Sequence, residues 1–460
     1  MRFTIKGPLF ARYLFLVIAM LAVSIAPGPV AAAETPENFK FTKIDLELLE
    51  KVNQADKEFE RKGLVFSEPE ANAYLENIGA KLVPADLPEN VKWRFRILRD
   101  SSPNAFALPN GSIYVHSGLL ALLRNEAQMA AILGHEITHV VNRHGYLENR
   151  SQRKKMVAIN ILAAAGGVGG GFGGIGGVAA SGILGGLVPS VVAATIFGYS
   201  RELERDADVY GLHAMARNNY PPIEMTAVFE ILKTGYEVQL DKESRGLYAD
   251  HPRLDDRIQY VNALLDSLPI SGGPVVRARE YTKEMAPVLR HDVPLEILTG
   301  RARTALAVAR RLTDLFPESA EDAFLQGEAH RALGGRTPSP RPEELTDSAR
   351  GAVRKQLSKM TLQEYEKSLR STPEGKAAWS ANVTAAEAAY RRARTLDPQY
   401  APAVRGLAAL CDEDGRPAEA IAGYRQYLQM APKALDAFRT RKRAEELEKA
   451  STAAPAQDHN

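Results

Sequence analysis

The sequence has 460 residues, 58 of them Lys or Arg and 56 Asp or Glu, with 45% hydrophobic and 25% charged positions. That length exceeds one ordinary core, so two or three domains are expected, and the balanced charge without a long basic run excludes nucleic-acid recognition by counterion release. A single cysteine, Cys411, excludes a disulfide framework and a cysteine-based zinc finger, so any metal site must draw on histidines and carboxylates.

Arg2, Lys6 and Arg12 precede an apolar run from Tyr13 to Ile25, and Ala31-Ala32-Ala33 supplies the small residues that signal peptidase recognises. Residues 1–33 read as a cleavable secretory signal. An uncleaved anchor is the alternative, but Pro27, Gly28 and Pro29 interrupt the run short of the ~20 apolar residues of a span. No cysteine lies near the cleavage site to carry a lipid, so the mature chain is expected to be soluble or peripherally bound.

Residues 42–83 place apolar side chains at helical spacing, and Val91 to Leu98 alternates as a strand. Ala105-Phe106-Ala107-Leu108 and Ile113-Tyr114-Val115 flank the turn cluster Pro109-Asn110-Gly111, which predicts a β-hairpin. Asn125 has the chemistry of an N-cap. Met129, Ile132, Leu133, Ile137, Val140 and Val141 then give a helix buried on most of its circumference and ending near Gly145. From Met156 to Ser200 there is no charged residue in 45 positions, and twelve glycines fall between Gly166 and Gly186. This segment reads as an apolar flap or membrane-surface element, or as a packed core loop. A helix from Arg201 to about Arg217 and mixed helical sequence to Leu268 complete a first domain, 34–268. A linker rich in Pro, Gly and Ser occupies 269–276.

Residues 277–450 are helical in pattern and repeat at an offset of 34: Tyr390 matches Tyr424, Arg391 matches Arg425, Pro398 matches Pro432, Ala403 matches Ala437 and Arg405 matches Arg439. That period resembles the tetratricopeptide repeat, with a diverged copy around Leu315-Phe316-Pro317 and an insertion over 335–378. An unrelated helical bundle is the alternative. Residues 451–460 read as a disordered tail.

The chemistry lies in His135-Glu136-Ile137-Thr138-His139. Spacing i, i+4 stacks two imidazoles on one helix face, where one zinc ion can take a nitrogen from each. A catalytic site needs a third ligand. Glu204 is the candidate, with Asp208 one turn on and placed to accept the free N–H of a ligand histidine. Glu202 and Asp206 lie on neighbouring faces and compete for these roles. His116, His144, His213, His291, His330 and His459 read as structural or solvated.

With HExxH at 135–139 and ExxAD at 204–208, the chain resembles the HtpX and BepA-like metallopeptidases, a gluzincin group. The match extends upstream to Asn104-Ala105-Phe106-Ala107-Leu108-Pro109-Asn110-Gly111 and downstream to His251-Pro252 and Arg257, about residues 40–265 in all. The resemblance implies an α+β, mostly helical peptidase domain with a small sheet, followed by an all-α repeat solenoid. It implies one Zn2+ per chain on His135, His139 and Glu204, Glu136 as general base, and His251 and Arg257 as further catalytic residues. For His251 the roles of latch, oxyanion stabiliser and helix-capping loop residue all stay open. Asn104 to Leu108 is expected to hold extended substrate by backbone pairing. The implied setting is the periplasm, possibly peripheral to a membrane. Unfolded or misassembled envelope proteins are then the substrates, and the repeats dock the enzyme to outer-membrane assembly machinery. An interaction scaffold with a structural or latched zinc site is the second expectation, and a bilayer-embedded peptidase the third. A single membrane span over 156–200 is excluded, because it would put His139 and Glu204 on opposite sides.

Overall fold

The computed structural model describes residues 39–85, 90–154, 199–237, 254–268, 273–334 and 371–453. The expected signal peptide, nearly all of the uncharged segment, His251 and most of the expected insertion and tail lie outside the described residues.

Helix α1 (Lys43–Arg61) buries Leu48, Val52, Ala55 and Phe59, a single stripe at helical spacing, and α2 (Pro69–Leu82), opened by its proline, buries Ala71, Leu75, Ile78 and Leu82. Three strands follow: β1 (Arg94–Leu98), β2 (Ala105–Ala107) and β3 (Ser112–His116), in the order β1-β3-β2. β2 and β3 form the expected hairpin, antiparallel with Phe106 opposite Tyr114, while β1 lies parallel to β3 on its other side. Gly111 closes the turn at φ +93°, and a Cβ there would stand 2.8 Å from the Lys92 carbonyl oxygen, so only glycine fits. Beneath the hairpin Asp56 of α1 accepts hydrogen bonds from Arg94, Asn110, Ser112 and Tyr114.

After the short α3 (Ser117–Leu122), α4 (Glu126–Val141) begins as expected, with the Asn125 side chain accepting the Gln128 N–H at 2.8 Å. It ends at Val141 rather than near Gly145, because Arg143 adopts a left-handed φ of +58°; helical backbone then resumes over 144–154. Helix α5 (Arg201–Arg217) has the predicted bounds, and α6 (Ile223–Glu237) and α7 (Leu254–Leu264) pack around it and α4.

The expected linker at 269–276 does not separate two cores. Val275 donates its N–H to the Asn219 carbonyl and Val276 accepts from the Glu126 N–H, so this strand of chain is bonded to the first domain. Helices α8 (Ala278–Glu284), α9 (Ala286–Leu298) and α10 (Ala302–Leu315) then share one hydrophobic cluster with the sheet and α4, extending from Phe66 to Ala329. Tyr281 donates to the Leu120 carbonyl, Ser117 to Asp292, and Arg311 to the Ala121 and Leu123 carbonyls. The change at 269–276 is one of sequence character, not of packing.

Helices α11 (Ala320–Gly334), α12 (Pro373–Leu396), α13 (Ala401–Glu413), α14 (Pro417–Met430) and α15 (Ala437–Ala453) stack in order, each against the next. The offset of 34 superposes the end of α12 at Leu396 on the end of α14 at Met430. Helix α12 is 24 residues long and runs through the point where a second turn would fall. Tyr390 of α12 is buried between two glycines: a Cβ on Gly327 or Gly406 would stand 2.6 Å from its ring. The last helix reaches Ala453, three residues into the expected tail.

Candidate metal centre

Two helices build the centre, and two glycines bring them together. A Cβ on Gly134 of α4 would stand 3.2 Å from the Gly211 carbonyl oxygen of α5, and one on Gly211 would stand 3.1 Å from the His135 nitrogen. Without side chains at these positions the backbones approach closely beside His135. Two turns of α5 away from Gly211, Glu204 then faces His135 and His139 across the gap. No periodicity argument marks these glycines, although a glycine directly before the first motif histidine, inside a buried helix, is a signal of close approach.

Among the described residues His135, His139 and Glu204 form the one group of ligand types able to share an ion, each at most 3% exposed. The two Nε2 atoms are 3.1 Å apart, and the Glu204 carboxylate oxygens lie 3.5 Å from His135 Nε2 and 3.6 Å from His139 Nε2. Tetrahedral bonds of about 2.0–2.1 Å set donor atoms about 3.3 Å apart, so the donor set fits an ion of zinc's size and chemistry. Because both imidazoles engage Nδ1 on the outer side, their Nε2 atoms are the ones turned to the shared centre.

The outer partners of the two histidines differ. His135 Nδ1 meets Asp208 Oδ1 at 2.9 Å. Asp208 is in turn clamped by Arg257, whose Nε and Nη2 donate at 2.8 and 2.6 Å, and by the Tyr260 hydroxyl. Arg257 is fully buried, lies over the Phe229 ring and sits 3.6 Å from Glu204. Burial opposes the charge on Asp208, but Arg257 and His135 outweigh it and hold the carboxyl well below its usual range. Burial likewise opposes a charge on His135, yet Asp208 and Glu204 raise its imidazole above the ordinary value. A field that favours a proton on this ring favours a metal cation at the same place. His139 instead places Nδ1 2.9 Å from His144 Nδ1, and His144 Nε2 lies 3.0 Å from Asp206. The Tyr199 ring stacks on His139 with centroids 3.9 Å apart, and burial, then the charges of Glu136 and Glu204, push its phenol up.

Residues 69–265 match the family model of peptidase family M48. The chain carries an M48 peptidase domain. Over 267 residues it is 28% identical to the putative beta-barrel assembly-enhancing protease of Vibrio cholerae serotype O1, which covers 57% of this chain and 49% of that one. It is 27% identical to the mitochondrial metalloendopeptidase OMA1 of Schizosaccharomyces pombe, over 42% of this chain and 52% of the relative. With the beta-barrel assembly-enhancing protease of Escherichia coli K12 it shares 23% identity, over 47% of this chain and 45% of the relative. The chain thus spans about half the length of the curated relatives it matches.

Within the M48 domain the structure brings together His135, Glu136, His139, Glu204, Asp208 and Arg257. Glu204 and Asp208 are fully buried while Glu202 is exposed, as the ligand spacing required. The meeting of His139 with Glu204 also agrees with the exclusion of a single span between them. No described helix is long and apolar enough to cross a membrane. Arg257, expected among the catalytic residues, is placed behind the ligands as the clamp on Asp208, because its guanidinium finds its charge partners there. Asn104 to Leu108 are all buried, and β2 forms the edge of the described sheet beside α4. The Asn104 carbonyl and the Leu108 N–H are engaged by β3. His144 and Tyr199 were missed by sequence reasoning. Read as structural or solvated from the sequence, His144 is redirected toward His139 by the break after Val141.

Proposed function

We propose that the chain is an exported, zinc-dependent endopeptidase that cleaves unfolded or misassembled envelope proteins, with its helical repeats docking it to outer-membrane assembly machinery. The observation that carries the reading is the fit of His135, His139 and Glu204 to a tetrahedral ion, with Glu136 buried on the same helix between the two histidines. A zinc ion held there supplies Lewis acidity to a peptide carbonyl and acidifies water. Glu136 accepts the proton of the attacking water and delivers it to the leaving amine. Tyr199, within the field of Glu136, closes one side of the His139 ring and limits water there. Asn104 to Leu108 lie at the edge of the described sheet beside α4 and are buried there, so that edge would have to open before backbone pairing could hold an extended substrate. Backbone pairing reads little sequence, which suits a substrate recognised by its lack of structure. For His251, outside the described residues, the roles of latch, oxyanion stabiliser and helix-capping loop residue rest on the resemblance alone.

The test is cleavage of a loosely folded protein such as casein by the mature chain and its Glu136→Gln variant at matched zinc content. Loss of cleavage by at least about 10^2-fold in the variant is expected if Glu136 is the general base. Equal, absent cleavage by both zinc-loaded forms would shift the reading to a repeat scaffold with a structural metal.

A further inference from the structure

The two ligand histidines are backed by different chemistry. Asp208 accepts directly from His135, so that ring has one possible proton placement: N–H on Nδ1 and the lone pair of Nε2 toward the centre. His139 faces another imidazole, and a pair of imidazoles can run its proton in either direction. In one direction His139 Nδ1–H donates to His144 Nδ1 and leaves Nε2 bare. In the other, His144 Nδ1–H donates to His139 and a proton sits on His139 Nε2, in the place an ion needs.

Asp206 decides between them. Its Oδ2 lies 3.0 Å from His144 Nε2 and also accepts from Asn142 Nδ2 at 2.6 Å. A carboxylate can only accept, so a neutral His144 carries its proton on Nε2 and offers its Nδ1 lone pair to His139. His139 is thereby forced to hold its proton on Nδ1. Stacking of Tyr199 on the His139 ring keeps the ring in the plane this chain requires. Whereas Asp208 is fully buried, the Asp206 side chain is 37% exposed, so this second arm ends at solvent.

We propose that Asp206, acting through His144, is a positioning residue that sets the proton direction on His139 and so keeps its Nε2 available to the metal. The inference rests on the metal-binding reading above. It assigns work to two residues outside the group formed by His135, His139 and Glu204.

The test is cobalt(II) binding by the full mature chain, measured by chelator competition for wild type, His144→Phe, His144→Asn, Asp206→Ala and Asp206→Asn. His144→Phe removes the acceptor and is expected to weaken cobalt binding roughly 10–100-fold, the usual cost of losing an outer partner. His144→Asn sets a carbonyl oxygen near the former Nδ1 and is expected to recover most of that loss. Asp206→Ala releases the proton direction and is expected to weaken binding about 10-fold, whereas Asp206→Asn, which still accepts from His144, stays near wild type. In the proton spectrum of the cobalt form, Asp206→Ala shifts or broadens the exchangeable His139 N–H and leaves that of His135 in place. A merely structural role for Asp206 would move neither signal selectively. Cobalt affinity and the His139 signal both unchanged in Asp206→Ala overturn the proposal. Failure of the wild type to bind cobalt, with Glu204→Ala indistinguishable from it, sinks the metal reading itself.

Discussion

The M48 domain and the stacked C-terminal helices handle buried charge differently. In the domain, ionic groups are locked inside: Asp208 with Arg257, Asp45 with Arg150, and Glu126 with Tyr74, Tyr220 and Arg277 each put a carboxylate at 0% exposure. In the C-terminal helices the clusters are small and rich in alanine and tyrosine, and most charges pair at or near the surface, as Arg443 does with Asp412; Asp322 of α11, buried against Arg290, is the exception nearest the first domain. Buried pairs fix geometry at the risk of a large loss when one partner goes, whereas exposed pairs are nearly neutral. A metal centre needs the first arrangement.

The largest expected effect is from Arg257→Leu, which leaves Asp208 charged and buried beside Glu204. A loss of about 3–5 kcal/mol in denaturant unfolding is expected, together with loss of the metal. A loss below about 1 kcal/mol would break the contrast, since exposed pairs are worth no more than that. Tyr390→Ala is the matching lesion in the repeats. It empties the space between Gly327 and Gly406 and is expected to cost about 3–5 kcal/mol locally. Hydrogen exchange should rise in α11 to α13 while the centre keeps its metal affinity.

A smaller, pH-dependent effect sharpens the comparison where the two regions join. Asp292 and Glu296 of α9 are both buried, faced by Ser117 of α3 and by Arg301, which pairs with Glu296. Burial, then the Glu296 charge, raises Asp292 well above its ordinary 3.8. Folding therefore takes up a proton there, and the stability it contributes is full in acid and lost as pH rises from about 3.8 through the raised value. Asp292→Asn is expected to melt higher than wild type at pH 8 and to lose that advantage toward pH 4, read by thermal melts at both. An advantage that does not change with pH would remove the buried acid from the account. Least is expected of Arg443→Leu, whose surface pair is worth roughly 0–1 kcal/mol in the same unfolding assay.

Much of this was legible in the chain. The hairpin, the bounds of α5, the Asn125 cap and the ligand set follow from turn chemistry, periodicity and ligand spacing, all local properties. What was not legible depended on approach in space. Gly134 and Gly211 look like ordinary helix impurities until the two backbones meet. His144 looks misplaced until Arg143 turns the chain. The linker reads as a boundary because Pro, Gly and Ser mark it, yet the apolar faces of α8 to α10 seek the first domain's core. The resemblance places Arg257 among the catalytic residues; its position behind the ligands follows only from its buried partners.

Glu126 has a mechanical side. It begins α4, and at 1.5 Å per residue about 20 Å of continuous helix separates it from His139. Its carboxylate is gripped by Arg277, at the entry to the helices that lead into the repeats, and its backbone N–H by Val276. A helix this short and this closely packed behaves as a rod. Helix α4 therefore joins the histidines at its far end to the chain leading into the C-terminal helices at its start, one of several stiff links between these parts.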